Sequence, residues 1–214
     1  MDFTIIGAGN MGRGIATRLL NGGNSVVIRD RDNEEATKLA QELRSATKGG
    51  ATASAAEMDA PIDTPAVVLA VYYPSVPSVL SQYGAQLAGK IIVDITNPLN
   101  ETFDDLATPP GTSAAEEIAN MAPSDAKVVK AFNTTFAGTL IAGEVEDKSL
   151  DVFIAGDDAQ AKNQLAEAIR AGGLRPIDVG PLRRARQLEG IGLLHITLQE
   201  KLGTNWGSTI KILS

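Results

Sequence analysis

A chain of 214 residues, 43% hydrophobic and 21% charged, has enough apolar surface to bury a substantial core and reads as one globular unit, or one domain with a small appendage. Its net charge of -7, with no run of Lys and Arg, argues against nucleic acid and anionic membrane surfaces as partners. With no cysteine there is no disulfide framework, thiol nucleophile or Cys-ligated zinc; no apolar run approaches the ~20 residues of a membrane helix, and Met1-Asp2 opens no basic leader, so a cytoplasmic location is expected.

In chain order, the apolar run Phe3 to Ile6 has strand length and feeds Gly7-Ala8-Gly9-Asn10-Met11-Gly12. A helical pattern from Met11 to Asn21 follows, with Met11, Ile15, Leu19 and Leu20 on one stripe, and Gly22-Gly23 offers a left-handed cap. A strand near Ser25 to Arg29 precedes a helix over Glu34 to Ala46, and Ala51 to Ala53 is a candidate short strand. Further strands are expected at Ala66 to Val71, Lys90 to Ile95, Lys127 to Ala131, Val152 to Ala155 and Arg175 to Asp178. The helices between and after them are Val76 to Tyr83, Ala114 to Met121, Asp158 to Ala171 and Arg183 to Lys201, the last with a stripe of Leu188, Ile191, Leu194 and Leu198. Pro109-Pro110-Gly111 marks a non-helical crossing, and Gly172-Gly173 a second capped helix end. Alternating strands and helices imply βαβ units and a doubly wound, mostly parallel α/β sheet of Rossmann type with a small C-terminal α/β extension. We divide the chain into a dinucleotide-binding part, residues 1–135, and a smaller acceptor-side portion, 136–214, packed on it or continuous with it.

The glycine motif has a physical reading in this setting. Gly7 takes the tight strand-to-helix turn, Gly9 lets a pyrophosphate approach the backbone, Gly12 lets helix and strand pack, and the helix N-terminus turns N–H groups toward phosphate. At the end of the second strand, Arg29-Asp30-Arg31-Asp32 gives a mixed answer on cofactor. Asp30 lies where an acid bonds the ribose 2′-OH of NAD, whereas Arg29 and Arg31 suit the 2′-phosphate of NADP; the reading leans to NADP with NAD open. Three other strand ends converge on the same crevice: Ala70-Val71-Tyr72-Tyr73-Pro74, Thr96-Asn97-Pro98-Leu99-Asn100 and Phe132-Asn133-Thr134-Thr135. Tyr72 is placed to pack on the dinucleotide, and Asn97, Asn133 and Thr134 to bond its carboxamide or riboses.

Gly7 to Gly12, Val93-Asp94-Ile95-Thr96-Asn97-Pro98-Leu99, Lys130-Ala131-Phe132-Asn133-Thr134, Ala155-Gly156-Asp157-Asp158 and Asp178-Val179-Gly180-Pro181-Leu182 together resemble the coenzyme F420-dependent NADP oxidoreductase family, which includes the oxidoreductase domain of the STEAP metalloreductases. The resemblance covers nearly the whole chain. It implies NADP binding and hydride exchange with a flavin-like or deazaflavin ring, with Gly9, Asn10 and Met11 on the pyrophosphate, Arg31 on the 2′-phosphate, Tyr72 beside the dinucleotide, and Asn97, Asn133 and Thr134 near the nicotinamide. Asp30 departs from the small polar residue, such as Ser, common among NADP-using members. The acceptor implied is F420, FMN or FAD.

Such transfer needs positioning more than acid–base groups, so no catalytic side chain and no metal are expected. The single histidine, His195, sits inside an apolar stripe and reads as a packed residue; Asp157 and Asp158 read as a helix cap. For Arg183, Arg184 and Arg186 two readings stay open: contacts to an anionic acceptor tail, or pairing of Arg186 with Glu189 or Glu200. The segment Trp206 to Leu213 either adds a strand or contacts a second subunit of a homodimer. A β-hydroxyacid dehydrogenase or pyrroline-carboxylate reductase is disfavoured, because strand-like runs continue past Thr135 where either would need an all-helical domain. A non-turning NADP sensor and a flavin-mediated ferric reductase are the remaining alternatives.

Overall fold

The computed structural model describes residues 1–47 and 50–213. Its elements are β1 (Phe3–Ile6), α1 (Asn10–Asn21), β2 (Val26–Arg29), α2 (Asn33–Ala46), β3 (Ala53–Ala55), β4 (Ala66–Leu69), α3 (Val76–Tyr83), β5 (Ile91–Asp94), α4 (Ala114–Met121), β6 (Lys127–Lys130), α5 (Ala137–Ala142), β7 (Glu144–Val145), β8 (Lys148–Ser149), β9 (Asp151–Gly156), α6 (Ala159–Ala171), β10 (Arg175–Gly180) and α7 (Ala185–Leu202). Eight strands make one sheet in the order β10-β9-β6-β5-β4-β1-β2-β3, and β7 with β8 forms a separate hairpin. From β3 to β6 all neighbours are parallel. Beyond β6 the direction reverses: β9 pairs antiparallel to β6, and β10 parallel to β9.

Strand order turns around between β1 and β4, which leaves a crevice above the C-terminal ends of the parallel strands. The inner strands are apolar throughout because helices cover both faces. Ala66 and Val68 of β4 join Ile15, Leu19 and Leu165 in one layer, while Val67 and Leu69 join Val76, Leu80 and Ile118 in the other. α1 meets α5 closely: a Cβ on Gly14 would lie 2.9 Å from Leu140 Cβ. Among the described residues no helix is long and apolar enough to cross a membrane.

Several sequence expectations are corrected. The third strand lies at Ala53–Ala55, two residues beyond Ala51 to Ala53. The six-residue α5 and the two-residue strands β7 and β8 were not anticipated, being too short to display a period. Gly22 caps α1 with φ -82°, and the left-handed residue is Gly23 at +77°. Residues 206–213 form no strand. Asp151 pins this segment instead, accepting from Ile212 N–H at 2.8 Å and Lys211 Nζ at 2.7 Å as well as from Arg175. Burial pushes the Asp151 carboxyl up, but the bonds from Arg175, Lys211 and Ile212 outweigh it and hold it at about 2.

The stripe on α7 is also displaced. Its buried face carries Ala185, Leu188, Glu189, Gly192, His195 and Gln199, whereas Leu194 is 58% exposed. The helix turns Glu189, His195 and Gln199 inward beside Leu188, and Leu194 outward.

Candidate functional site

At the β1–α1 turn the glycines act as the motif requires. Gly7 has φ +115°, and a Cβ there would overlap the Ala70 carbonyl oxygen; a Cβ on Gly12 would overlap the Gly7 oxygen. Gly9 has nothing within 4 Å of where its Cβ would stand, so the space above it is open. No side chain caps α1, which leaves its first-turn N–H groups, at Asn10 and Met11, facing that space without an acidic partner in the first turn.

Asp30 is fixed against the same loop. Its Oδ2 accepts from Ala8 N–H at 2.7 Å and its Oδ1 from Asp32 N–H at 3.0 Å. Arg31 is exposed beside it. Arg29 leaves the cofactor set: its guanidinium is buried, donates to the Glu57, Ala60 and Pro61 carbonyls at 3.1, 2.5 and 2.6 Å, and lies 5.7 Å from the Tyr83 ring centroid. Side chains alternate faces along β2, and Arg29 takes the face opposite Ile28, toward Tyr83, so only the Arg29 carbonyl, accepting from Gly7 N–H at 2.7 Å, serves the loop.

At the next strand end Ala70 donates its N–H to the Ile6 carbonyl at 2.8 Å, Val71 is half-buried, and Tyr72 is 88% exposed over the crevice. Its neighbour Tyr73 hydrogen-bonds Glu117, and burial together with that carboxylate raises its pKa.

Beyond β5 and β6, Asn97 and Asn133 are bonded to each other. Asn97 Nδ2 donates to the Asn133 carbonyl at 2.8 Å, Asn133 Nδ2 donates to Asn97 Oδ1 at 2.9 Å and to the Leu188 carbonyl at 2.8 Å. Asn133 Oδ1 and Thr96 Oγ1 are buried without a partner. Pro98 is buried, and its carbonyl accepts from Ala107 N–H at 2.6 Å, folding the loop back on itself. Phe132 holds φ +63°, a left-handed conformation costing about 1–2 kcal/mol in a non-glycine residue, which turns the chain so that Asn133 and Thr134 follow one another into the crevice wall.

Beneath these loops lies a charge cluster that the sequence reading missed. Lys130 Nζ, fully buried, donates to Asp94 Oδ2 at 2.7 Å, Glu189 Oε1 at 2.8 Å and the Thr96 carbonyl at 2.6 Å. Two carboxyl groups share this one amine. The N-terminus of α4 adds donors, for Ala114 and Ala115 N–H donate to Glu189 at 3.1 and 3.3 Å. Burial raises the Glu189 pKa and Lys130 opposes that rise. A signal was present: Asp94 ends the otherwise apolar β5 and Lys130 ends β6 after Val128 and Val129, with opposite charges, and they are direct partners in the β5–β6 register.

Arg186 pairs with Glu116, its Nε 2.8 Å from Oε2, and with neither Glu189 nor Glu200. Asp158 caps α6 by accepting from Ala161 N–H at 2.7 Å, while Asp157 accepts from Leu182 N–H at 2.9 Å and so tethers the start of α7. His195 is buried; its Nδ1 donates to the Thr134 carbonyl at 3.2 Å, its Nε2 meets Ser208 Oγ at 2.8 Å, and burial lowers its pKa.

Residues 2–98 match the family described as NADP oxidoreductase, coenzyme F420-dependent. The F420-dependent NADP reductase of Methanocaldococcus jannaschii is 32% identical over 217 residues, covering 96% of this chain and 95% of that protein. The chain belongs to the F420-dependent NADP oxidoreductase family. Metalloreductase STEAP3 of Rattus norvegicus is 34% identical over 189 residues, 88% of this chain, which spans only 36% of that protein's length. A crystal structure described as an F420-dependent NADP-reductase, from Arthrobacter sp. FB24, superposes with a TM-score of 0.85 at 29% identity and covers 99% of both chains. Membership makes this an NADP-dependent oxidoreductase, and the residues present fit that group: open space over Gly9, bare N–H groups on α1 and an unpartnered acceptor on Asn133.

Proposed function

We propose that the crevice above β1, β2, β4, β5 and β6 holds NADP and that the chain passes hydride between it and a flavin-like or deazaflavin acceptor, F420 being favoured over FMN and FAD by the relatives' names. The observation that carries this reading is the bare α1 N-terminus with open space over Gly9, in one crevice with an Asn133 oxygen that lacks a partner. When bound, the dinucleotide supplies the hydride. Gly9, Asn10 and Met11 hold its pyrophosphate, Arg31 its 2′-phosphate, Tyr72 covers it, and Asn97, Asn133 and Thr134 orient the nicotinamide end. Asp30 opposes Arg31 there, and with Arg29 committed elsewhere NAD stays within reach of this site.

A titration of NADPH and NADH into wild type and Arg31→Ala tests the assignment. NADPH should bind more tightly than NADH, by about tenfold for one charge-assisted contact, and the substitution should erase most of that difference. Equal losses for both cofactors would remove Arg31 from the site. Absorbance loss of NADPH mixed with F420, FMN or FAD identifies the acceptor, and tight binding without turnover on any of them would favour a sensor. The relatives named metalloreductases support a second reading, reduction of ferric iron through flavin, which requires that iron reduction stop when flavin is omitted.

Assembly as a cytoplasmic homodimer belongs to the same proposal. Leu194 and Leu202 stand exposed on the outer face of α7, with Trp206 nearby in sequence, and a second copy would cover them.

A further inference from the structure

Four residues on the inner face of α7 touch the loops assigned to the nicotinamide, an inference that rests on the reading of this crevice as the NADP site. The Leu188 carbonyl accepts from Asn133, Glu189 holds Lys130, Gly192 faces Asn97, and His195 donates to the Thr134 carbonyl. Positions 188, 189, 192 and 195 share one helix face. Beside Ala185 and Leu188 this face buries Glu189, His195 and Gln199, and burying Glu, His and Gln costs free energy that apolar side chains would not. Simple core packing therefore does not account for it.

Gly192 is the tightest of these contacts. A Cβ there would stand 2.8 Å from Asn97 Cγ and overlap Asn97 Oδ1, whereas Gly190, two residues earlier on the same helix, has nothing within 4 Å. The absence of a side chain at 192 is what allows the Asn97 amide to lie against α7 and bond Asn133.

We propose that α7 is the positioning element for the nicotinamide end of the cofactor, with Gly192 and Glu189 as its positioning residues: Gly192 sets where the Asn97 amide stands, and Glu189 through Lys130 sets the spacing of the β5 and β6 loops. The adenosine end, built on β1, α1 and β2, is independent of it.

Gly192→Ala and Gly190→Ala make a matched pair, because each adds one methyl to the same helix and alanine favours helix over glycine. For each variant, circular dichroism reports folding, 2′,5′-ADP affinity reports the adenosine end, and NADPH affinity with the fluorescence of the bound nicotinamide reports the other end. Gly192→Ala should weaken NADPH by about tenfold, the worth of one misplaced hydrogen bond, and shift the bound fluorescence while leaving 2′,5′-ADP within about twofold of wild type. Gly190→Ala should change none of these. In an Asn97→Ala background, Gly192→Ala should cause no additional loss, since the group it displaces is gone. The proposal is overturned if Gly192→Ala matches Gly190→Ala, if it weakens both ligands equally, or if its effect adds to that of Asn97→Ala. A wild type that binds neither 2′,5′-ADP nor NADPH overturns the site reading as well, so the two failures are distinguishable.

Discussion

The two ends of the crevice are built by different means. Around β1, α1 and β2 the walls are backbone: glycines that make room, N–H groups of a helix start, and one carboxylate, Asp30, all within the span Gly7 to Asp30. Around β5 and β6 the walls are Asn97, Asn133 and Thr134, held by partners 36 to 61 residues away in sequence. Backbone walls tolerate change in what surrounds them and side-chain walls do not, because each amide must be aimed by other groups. The contrast implies that side-chain substitutions at the β5–β6 end propagate into stability, and those at the end of β2 into cofactor choice.

The largest effect expected is at Lys130. Lys130→Met leaves Asp94 and Glu189 buried together without a counter-charge, and chemical denaturation should register a loss of about 3–5 kcal/mol. A loss below about 1 kcal/mol would mean that the cluster is not the prop of that wall. Next is Gly12→Ala, whose methyl overlaps the Gly7 oxygen: about 1–3 kcal/mol of stability and most of the affinity for NADPH and 2′,5′-ADP alike should go. Retained affinity for both would separate the glycine loop from the phosphates. The smallest is Asp30→Ser, which removes a charge beside a phosphate oxygen and should tighten NADPH by roughly tenfold while weakening NADH, with a stability loss of about 1 kcal/mol because a serine cannot keep both bonds to the Ala8 and Asp32 N–H groups. If NADPH binding is unaffected, Asp30 and the 2′-phosphate do not face one another.

The same contrast explains what could be read in the sequence. The order of strands, the glycine loop and the position of Asp30 follow from local pattern, since a turn, a helix start and a strand end are each specified within a few residues. Arg29 was misread because its neighbours in sequence suggested phosphate, while the carbonyls that bind it lie about thirty residues on, in the loop before β4. Glu189 entered only as one of two candidate partners of Arg186 in a reading left open, since a glutamate among leucines gives no sign of the lysine that meets it. On α7 the expected apolar stripe holds at Leu188 and fails at Leu194, because the inner face also carries the hydrogen-bonded Glu189, His195 and Gln199. That failure falls where function is proposed, as expected when local preference yields to a site.

In chain order α7 comes after every strand of the sheet, yet it closes the wall of a crevice begun by β1. A chain emerging from the ribosome can therefore shape its phosphate loop early, while Asp94 and Lys130 wait in water for a glutamate not yet synthesised. Completion of the pocket is tied to synthesis of α7, and a chain interrupted before Glu189 would carry the phosphate loop without the partner of Lys130.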